Sequence, residues 1–157
     1  MMTFKRIFGA AVLAAVIAIP LVVGQASAGS ATYVLKASLD KKALASVKDA
    51  SGASGTLTGK LTVAGKKSSF VWTLTLHHLS GNATRASIYF GTGSKTGILA
   101  LPLCVKCQAP KAHGAYIGPY VANATFLHKI LHGGAYAVVA TKMNSRGEIR
   151  GQIKATS

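Results

Sequence analysis

The chain has 157 residues and carries 18 Lys and Arg against three acidic residues, a formal charge of +15 at neutral pH. This length fits one domain of ordinary size. Paired-carboxylate sites and Ser-His-Asp triads need acidic side chains, and the chain has almost none to supply them. The composition therefore argues against hydrolytic catalysis, and we predict that the protein is not an enzyme.

The N-terminal segment predicts export. Lys5 and Arg6 precede an apolar run over residues 7–23, and the small residues Ala26-Ser27-Ala28 follow it. This layout predicts a secretory signal peptide over residues 1–28. A retained membrane anchor is the alternative, since the run approaches the ~18 residues of a spanning helix. The Ala-Ser-Ala sequence favours cleavage, so we expect a mature domain over 29–157 that is secreted, extracellular or held in the cell envelope.

The excess positive charge predicts anionic partners. Residues 29–157 hold 16 Lys and Arg against the same three acidic residues, a formal charge of +13. Such a surface attracts an anionic surface polymer or lipid head groups, more weakly as salt rises. No nucleic-acid-binding motif is present, so we predict no specific nucleic-acid partner. No later apolar run reaches spanning length, and no pattern sets an oligomeric state. The alternative is a solvated surface that only keeps the protein soluble.

Alternation with period two dominates the first half of the expected domain. It predicts strands over residues 33–39, 56–63 and 70–77, separated by a patternless connection at 40–54 and a turn at 65–68. Trp72 is the expected core anchor of the third strand. The predicted inward-facing residues of these strands are Tyr33, Leu35, Ala37, Leu39, Leu57, Leu61, Val63, Phe70, Trp72, Leu74 and Leu76.

The second half predicts further strands and one helical turn. Strands are expected over 83–90, 98–103, 135–141 and 148–155, and Pro102 places the second of these at a sheet edge. Residues 114–117 and 120–124 are poorly patterned. Apolar residues at helical spacing predict one short helical turn near 126–132. The fold class is therefore all-β, a single antiparallel Greek-key β-sandwich or barrel, immunoglobulin-like or related.

Cys104-Val105-Lys106-Cys107 is the most chemical-looking motif. Outside the cytoplasm two cysteines usually pair, so we predict a structural disulfide between Cys104 and Cys107. The alternatives are a redox pair, which would need an activated thiolate, and a metal site with His113, which lacks a fourth ligand. Gln108 follows the second cysteine, which excludes haem attachment. We predict no cofactor and no metal.

Other polar residues have structural explanations as well as functional ones. His128 and His132 lie four apart on the predicted helical turn, as a metal pair would, but we favour a solvent-facing role. Glu148 and Arg150 are predicted to make a structural ion pair or cross-strand bonds. Two glycosylation sequons begin at Asn82 and Asn123.

The C-terminal segment resembles a known family. Residues 134–141, followed by Asn144-Ser145-Arg146-Gly147-Glu148-Ile149-Arg150-Gly151-Gln152-Ile153, resemble the signature of the CHRD (chordin) domain, exported microbial type. Residues 79–84 resemble another of its segments. The resemblance spans roughly 33–153. The family-signature residues, to which we assign a structural role, are Tyr136, Asn144, Gly147, Glu148, Ile149, Arg150, Gly151 and Gln152.

The resemblance implies an extracellular β-sandwich or barrel without established enzymatic activity. The chain has Ser87-Ile88-Tyr89 and Ala140 where family members often have histidines, so no metal or proton chemistry carries over. We therefore expect a secreted or envelope binding or scaffolding module with a basic surface for anionic partners. The alternatives are an envelope thiol, disulfide or metal-binding protein using the Cys-x-x-Cys motif, and a structural matrix protein.

Overall fold

The structure is a computed structural model, and it describes residues 29–41, 44, 47–48, 52–92 and 95–157. The predicted signal peptide lies outside the described residues. The described chain is all-β with one α-helix and short 3₁₀ turns, as the sequence predicts. The strands are β1 (Ala31–Asp40), β2 (Ser54–Val63), β3 (Ser69–His77), β4 (Ala83–Phe90), β5 (Ile98–Val105), β6 (Lys111–Ile117), β7 (Ala135–Thr141), β8 (Ile149–Gln152) and β9 (Lys154–Thr156), and the helix is α1 (Ala124–Leu131).

The strands form one antiparallel sheet that nearly closes into a barrel. Its order is β5-β4-β7-β8-β1-β2-β3-β6, with β9 paired to β1. The two edge strands, β5 and β6, approach each other along a line that we call the seam. There the hydroxyl of Tyr116 donates to the carbonyl of Pro102, and that of Tyr120 donates to the carbonyl of Ala100. The prediction that Pro102 marks an edge strand is confirmed, because Pro cannot donate to a further strand.

The period-two pattern fills the barrel interior. Along β1 and β3 the predicted inward residues, including Leu35, Leu39 and Phe70, are buried, except that Tyr33 is half-buried against the core. Their neighbours along the strands face outward. Trp72 is also buried, with its indole over Gly114 of β6, where a Cβ would lie 2.7 Å from the ring. Gly114 is therefore required at this position, because any side chain would collide with the anchor.

The antiparallel order sorts the connections to the two ends of the barrel. The end that carries the β1–β2, β3–β4, β5–β6 and β7–β8 connections includes both cysteines, and we call it the cysteine end. The opposite end carries the β2–β3 turn, the β4–β5 connection and α1, and we call it the helix end. None of the helices in the described part of the chain is both long enough and apolar enough to cross a membrane.

Candidate binding site at the cysteine end

The single glutamate of the chain lies buried beside the cysteine end. Glu148 has no exposed surface, and its carboxylate accepts hydrogen bonds from the backbone N–H of Ser80 (2.5 Å), from the Ser80 hydroxyl, from Thr141 Oγ1 (2.5 Å) and from Asn144 Nδ2 (3.0 Å). These donors come from the β3–β4 connection, from the last residue of β7 and from the β7–β8 connection. The carboxylate therefore fastens two loops that are far apart in sequence.

The same contacts set the protonation state of Glu148. Burial raises the pKa of the carboxyl, but the hydrogen bonds from Ser80, Thr141 and Asn144 outweigh it, and the pKa is lowered overall. The group is thus a carboxylate at neutral pH, with its oxygens occupied by protein donors. Such a group is suited to holding structure and poorly suited to donating a proton.

Arg150 has different partners from Glu148. It is 4% exposed, its guanidinium carbon lies 3.3 Å from the centroid of the Tyr136 ring, and its Nη1 donates to the carbonyl of Lys95 at 3.0 Å. Burial lowers the pKa of Arg150, against a smaller opposing effect of Tyr136. Its Nη2 has no hydrogen-bond partner among the described residues. The cation thus clamps the β4–β5 connection onto the sheet.

The remaining signature residues also contact the protein itself. Gln152 Nε2 donates to the carbonyls of Gly91, Gly133 and Ala135, at 3.1, 2.7 and 2.6 Å, respectively. Asn144 exchanges hydrogen bonds with the backbone of Lys48 through both its side-chain oxygen and its nitrogen. These contacts join the β1–β2, β4–β5 and β6–β7 connections to the C-terminal strands.

The cysteine loop is held at both flanks. The sulfur atoms of Cys104 and Cys107 lie 2.07 Å apart, at disulfide distance. Between them, the backbone N–H of Lys106 donates to the carbonyl of Thr84 (2.9 Å), and Lys106 has a φ of 52°. These contacts fix the loop against β4 with the Lys106 side chain exposed.

Three adjoining depressions surround this loop, and we call them together the cysteine cleft. One of about 450 Å³ and one of about 350 Å³ share residues 106–108, and a third of about 280 Å³ shares Asn82 and Ala109 with the first. Their described polar lining consists of cations, imidazoles, amides and a hydroxyl, and no described lining residue is a carboxylate. These lining residues are Lys106, Lys111, His77, His78, His113, Asn82, Gln108 and Thr84.

The metal candidates do not assemble. Cys104, Cys107 and His113 border one depression, but no group of three or more His, Cys, Asp and Glu able to hold a metal ion occurs in the described ranges. His128 and His132 stack on α1 with ring centroids 4.7 Å apart, at the opposite end of the barrel. No described geometry therefore favours a metal centre.

Several polar residues have roles that the sequence did not predict. Asn123, noted only as a sequon, caps α1 by accepting from the N–H groups of Thr125 (2.9 Å) and Phe126 (3.4 Å). The hydrogen bonds from Ser80 and Thr141 to Glu148 were not predicted either. Their one signal in the sequence was that Glu148 is the only glutamate and lies in an apolar pattern, because a buried carboxylate there needs donors from elsewhere in the fold.

A nearly closed antiparallel barrel whose buried carboxylate is hydrogen-bonded by the protein itself is typical of a non-catalytic scaffold. The model of the CHRD domain family matches residues 35–153, most of the chain, and the protein belongs to this family. The family is non-enzymatic and supports the role of a non-catalytic binding module. No curated protein and no solved structure matches the chain.

Proposed function

We propose that the protein is exported, loses residues 1–28, and acts in the cell envelope or outside the cell as a binding module for an anionic polymer. The N-terminal charge, apolar run and Ala-Ser-Ala sequence support export. The charge of +13 on residues 29–157 supports an anionic partner. Membership of a non-enzymatic family supports a role in binding.

The cysteine cleft is the contact surface in this proposal. The observation that carries it is that exposed Lys106 and Lys111 line adjoining depressions in which no described lining residue is a carboxylate. Because Glu148 is buried and hydrogen-bonded, its oxygens do not compete for these lysines. An anionic group in the cleft therefore meets lysine charges that no described lining residue neutralises.

The shape of the cleft favours an extended chain over a small molecule. Its depressions are shallow and adjoin one another around the cysteine loop, so successive units of one polymer can occupy them. Asn82, Thr84 and Gln108 offer amide and hydroxyl groups between the lysines. Such groups hydrogen-bond the hydroxyls and anionic oxygens of a polyol phosphate or a polyuronate.

The proposal is tested by removing the same charge at two places. We compare Lys106→Gln/Lys111→Gln with Lys36→Gln/Lys60→Gln, whose lysines are exposed on the outer face of β1 to β3, which we call the barrel wall. Retention on poly(glycerol phosphate) and on a polyuronate is measured across a salt series. The cleft variant should lose about tenfold in affinity at physiological salt, and the wall variant about twofold. Equal losses would show that the charge acts only as a diffuse solvated surface.

Thiol titration of the native protein separates this proposal from the thiol or metal alternative. We expect no free thiol from Cys104 or Cys107 and no bound metal. Two free thiols or a stoichiometric metal ion would favour the alternative.

A further inference from the structure

Exposed apolar side chains concentrate at the helix end of the seam. Ile98, Leu99, Ile117 and Tyr120 are 77%, 51%, 80% and 53% exposed, respectively. They are half of the large apolar side chains that are exposed among the described residues. Clusters of this kind mark interaction surfaces more often than scattered exposed residues do.

The topology places these four residues together. Ile98 and Leu99 begin β5, whereas Ile117 ends β6, and the two strands run antiparallel on either side of the seam. Tyr120 follows β6 and its hydroxyl donates to the carbonyl of Ala100, two residues beyond Ile98. All four side chains therefore lie at the same end of the seam, and we call them the apolar tip.

Exposed lysines flank the apolar tip. Lys66 and Lys67 form the β2–β3 turn, which is tied to the end of β6 by a hydrogen bond from Gly118 N to Ser68 O (2.8 Å). Both lysines are exposed. The tip thus has positive charge beside it, at the β2–β3 turn.

No described residue of the helix end is acidic. The chain contains no Asp or Glu between Asp49 and Glu148, and the two described acidic residues, Asp40 and Glu148, lie at the cysteine end, where β1 ends and β8 begins. A second copy docked tip to tip would bring like charges together, which disfavours a homodimer through this surface. A partner that is apolar and anionic at once fits both features.

We propose that the apolar tip docks the protein onto the surface of an anionic lipid bilayer. The four apolar side chains enter the boundary between head groups and acyl chains, and Lys66 and Lys67 contact the lipid phosphates. Apolar insertion and electrostatic attraction are each weak alone, and together they give stable peripheral binding. Tyr120 suits this depth, because Tyr is enriched at membrane interfaces. The tip lies at the opposite end of the barrel from the cysteine cleft, so this proposal does not depend on the polymer-binding function.

Vesicle co-sedimentation tests the apolar contribution at constant charge. Protein purified after export, with its N-terminus determined by mass spectrometry, is mixed with vesicles of phosphatidylcholine alone or with 30% phosphatidylglycerol, a composition of about the charge density of anionic membranes. Ile98→Ser/Ile117→Ser should weaken binding to the anionic vesicles by about tenfold. Val34→Ser/Val71→Ser, at positions 41% and 53% exposed on the barrel wall, is the matched control and should stay within about twofold.

The charge contribution has its own pair of variants. Lys66→Gln/Lys67→Gln should lose about fivefold per lysine on the anionic vesicles, and Lys36→Gln/Lys60→Gln markedly less. Equal losses for tip and wall variants, in either pair, would overturn the proposal. Polymer retention of Ile98→Ser/Ile117→Ser should be unchanged, so failure of one proposal is distinguishable from failure of the other.

A fluorescence probe reports insertion directly. The sole native tryptophan, Trp72, is buried, and a new one can be placed as Ile98→Trp or, for control, Val71→Trp. On anionic vesicles the emission of the first should shift to the blue, and that of the second should stay unchanged. If the emission of Ile98→Trp did not shift on anionic vesicles, the proposal would be overturned. It would also be overturned if that emission shifted in the absence of vesicles because the protein dimerised.

Discussion

The C-terminal strands and the barrel wall differ in burial, although both belong to the same antiparallel sheet. All seven residues of β7 are buried, including Tyr136 and Val138, which face away from the barrel interior. On the barrel wall, by contrast, Thr56, Thr58 and Val71 are exposed. The difference arises because connections such as the one at Lys95 fold over β7 and β8, while nothing described covers the wall.

The difference in burial indicates a structural role for the residues of the family signature. A buried polar group must find its partners within the protein, and buried Glu148 and half-buried Gln152 each bind several protein groups. We infer that the signature residues fasten loops to the barrel. The binding surfaces then lie elsewhere, on loops and edges whose side chains remain exposed.

The largest expected effect comes from removing the fastening carboxylate. Glu148→Ala leaves the donors of Ser80, Thr141 and Asn144 without their buried acceptor, so we expect a loss of about 4 kcal/mol in the free energy of unfolding. Urea unfolding followed by circular dichroism measures it. Thr56→Ala on the barrel wall is the control and should change stability by less than about 0.5 kcal/mol. If Glu148→Ala and Thr56→Ala both changed the free energy of unfolding only slightly, the Glu148 carboxylate would not be holding the two loops in place.

The next largest effect on stability is expected at Gly151, where the backbones of β8 and β1 approach closely. A Cβ on Gly151 would lie 2.1 Å from the carbonyl oxygen of Ser38, on the neighbouring β1, so Gly151→Ala must push two strands apart. We expect a loss of about 3 kcal/mol. Gly81, exposed in the β3–β4 connection, has open space around its Cβ position, and Gly81→Ala should stay within about 0.5 kcal/mol. Equal unfolding midpoints for these two variants would contradict the register of β8 on β1.

The smallest of these effects is the dependence of the free energy of unfolding on pH. Because the folded state lowers the pKa of Glu148 below its ordinary value of 4.5, its ionisation stabilises the fold above that value. This contribution is lost as pH falls through the lowered folded pKa. The unfolding free energy of the native protein should therefore fall in acid more steeply than that of Glu148→Gln. Parallel curves for the two proteins between pH 7 and pH 3 would show that Glu148 does not contribute this linkage.

The candidate sites were only partly predictable from sequence. The cysteine motif identified the loop at the centre of the cleft, because two cysteines three apart stand out in any chain. Asn82 and Thr84 had no such signal, since the fold brings them to Lys106 across the β4–β5 pair. The apolar tip was likewise not predicted, because an apolar residue such as Ile117 at a strand end looks like a core residue until the edge is known.

The sequence by itself determined most of the strands, the edge position of Pro102 and the family. Local alternation decides which face of a strand is apolar, and a short signature identifies relatives. The strand β6, with small residues such as Ala112 and Gly114, escaped clear prediction because its pattern depends on the Trp72 ring packed over it. Only the tertiary structure decided which connections share an end of the barrel, what covers the second face of β7, and which donors reach Glu148. Those contacts join residues distant in sequence, and their energies depend on burial that exists only once the sheet has closed.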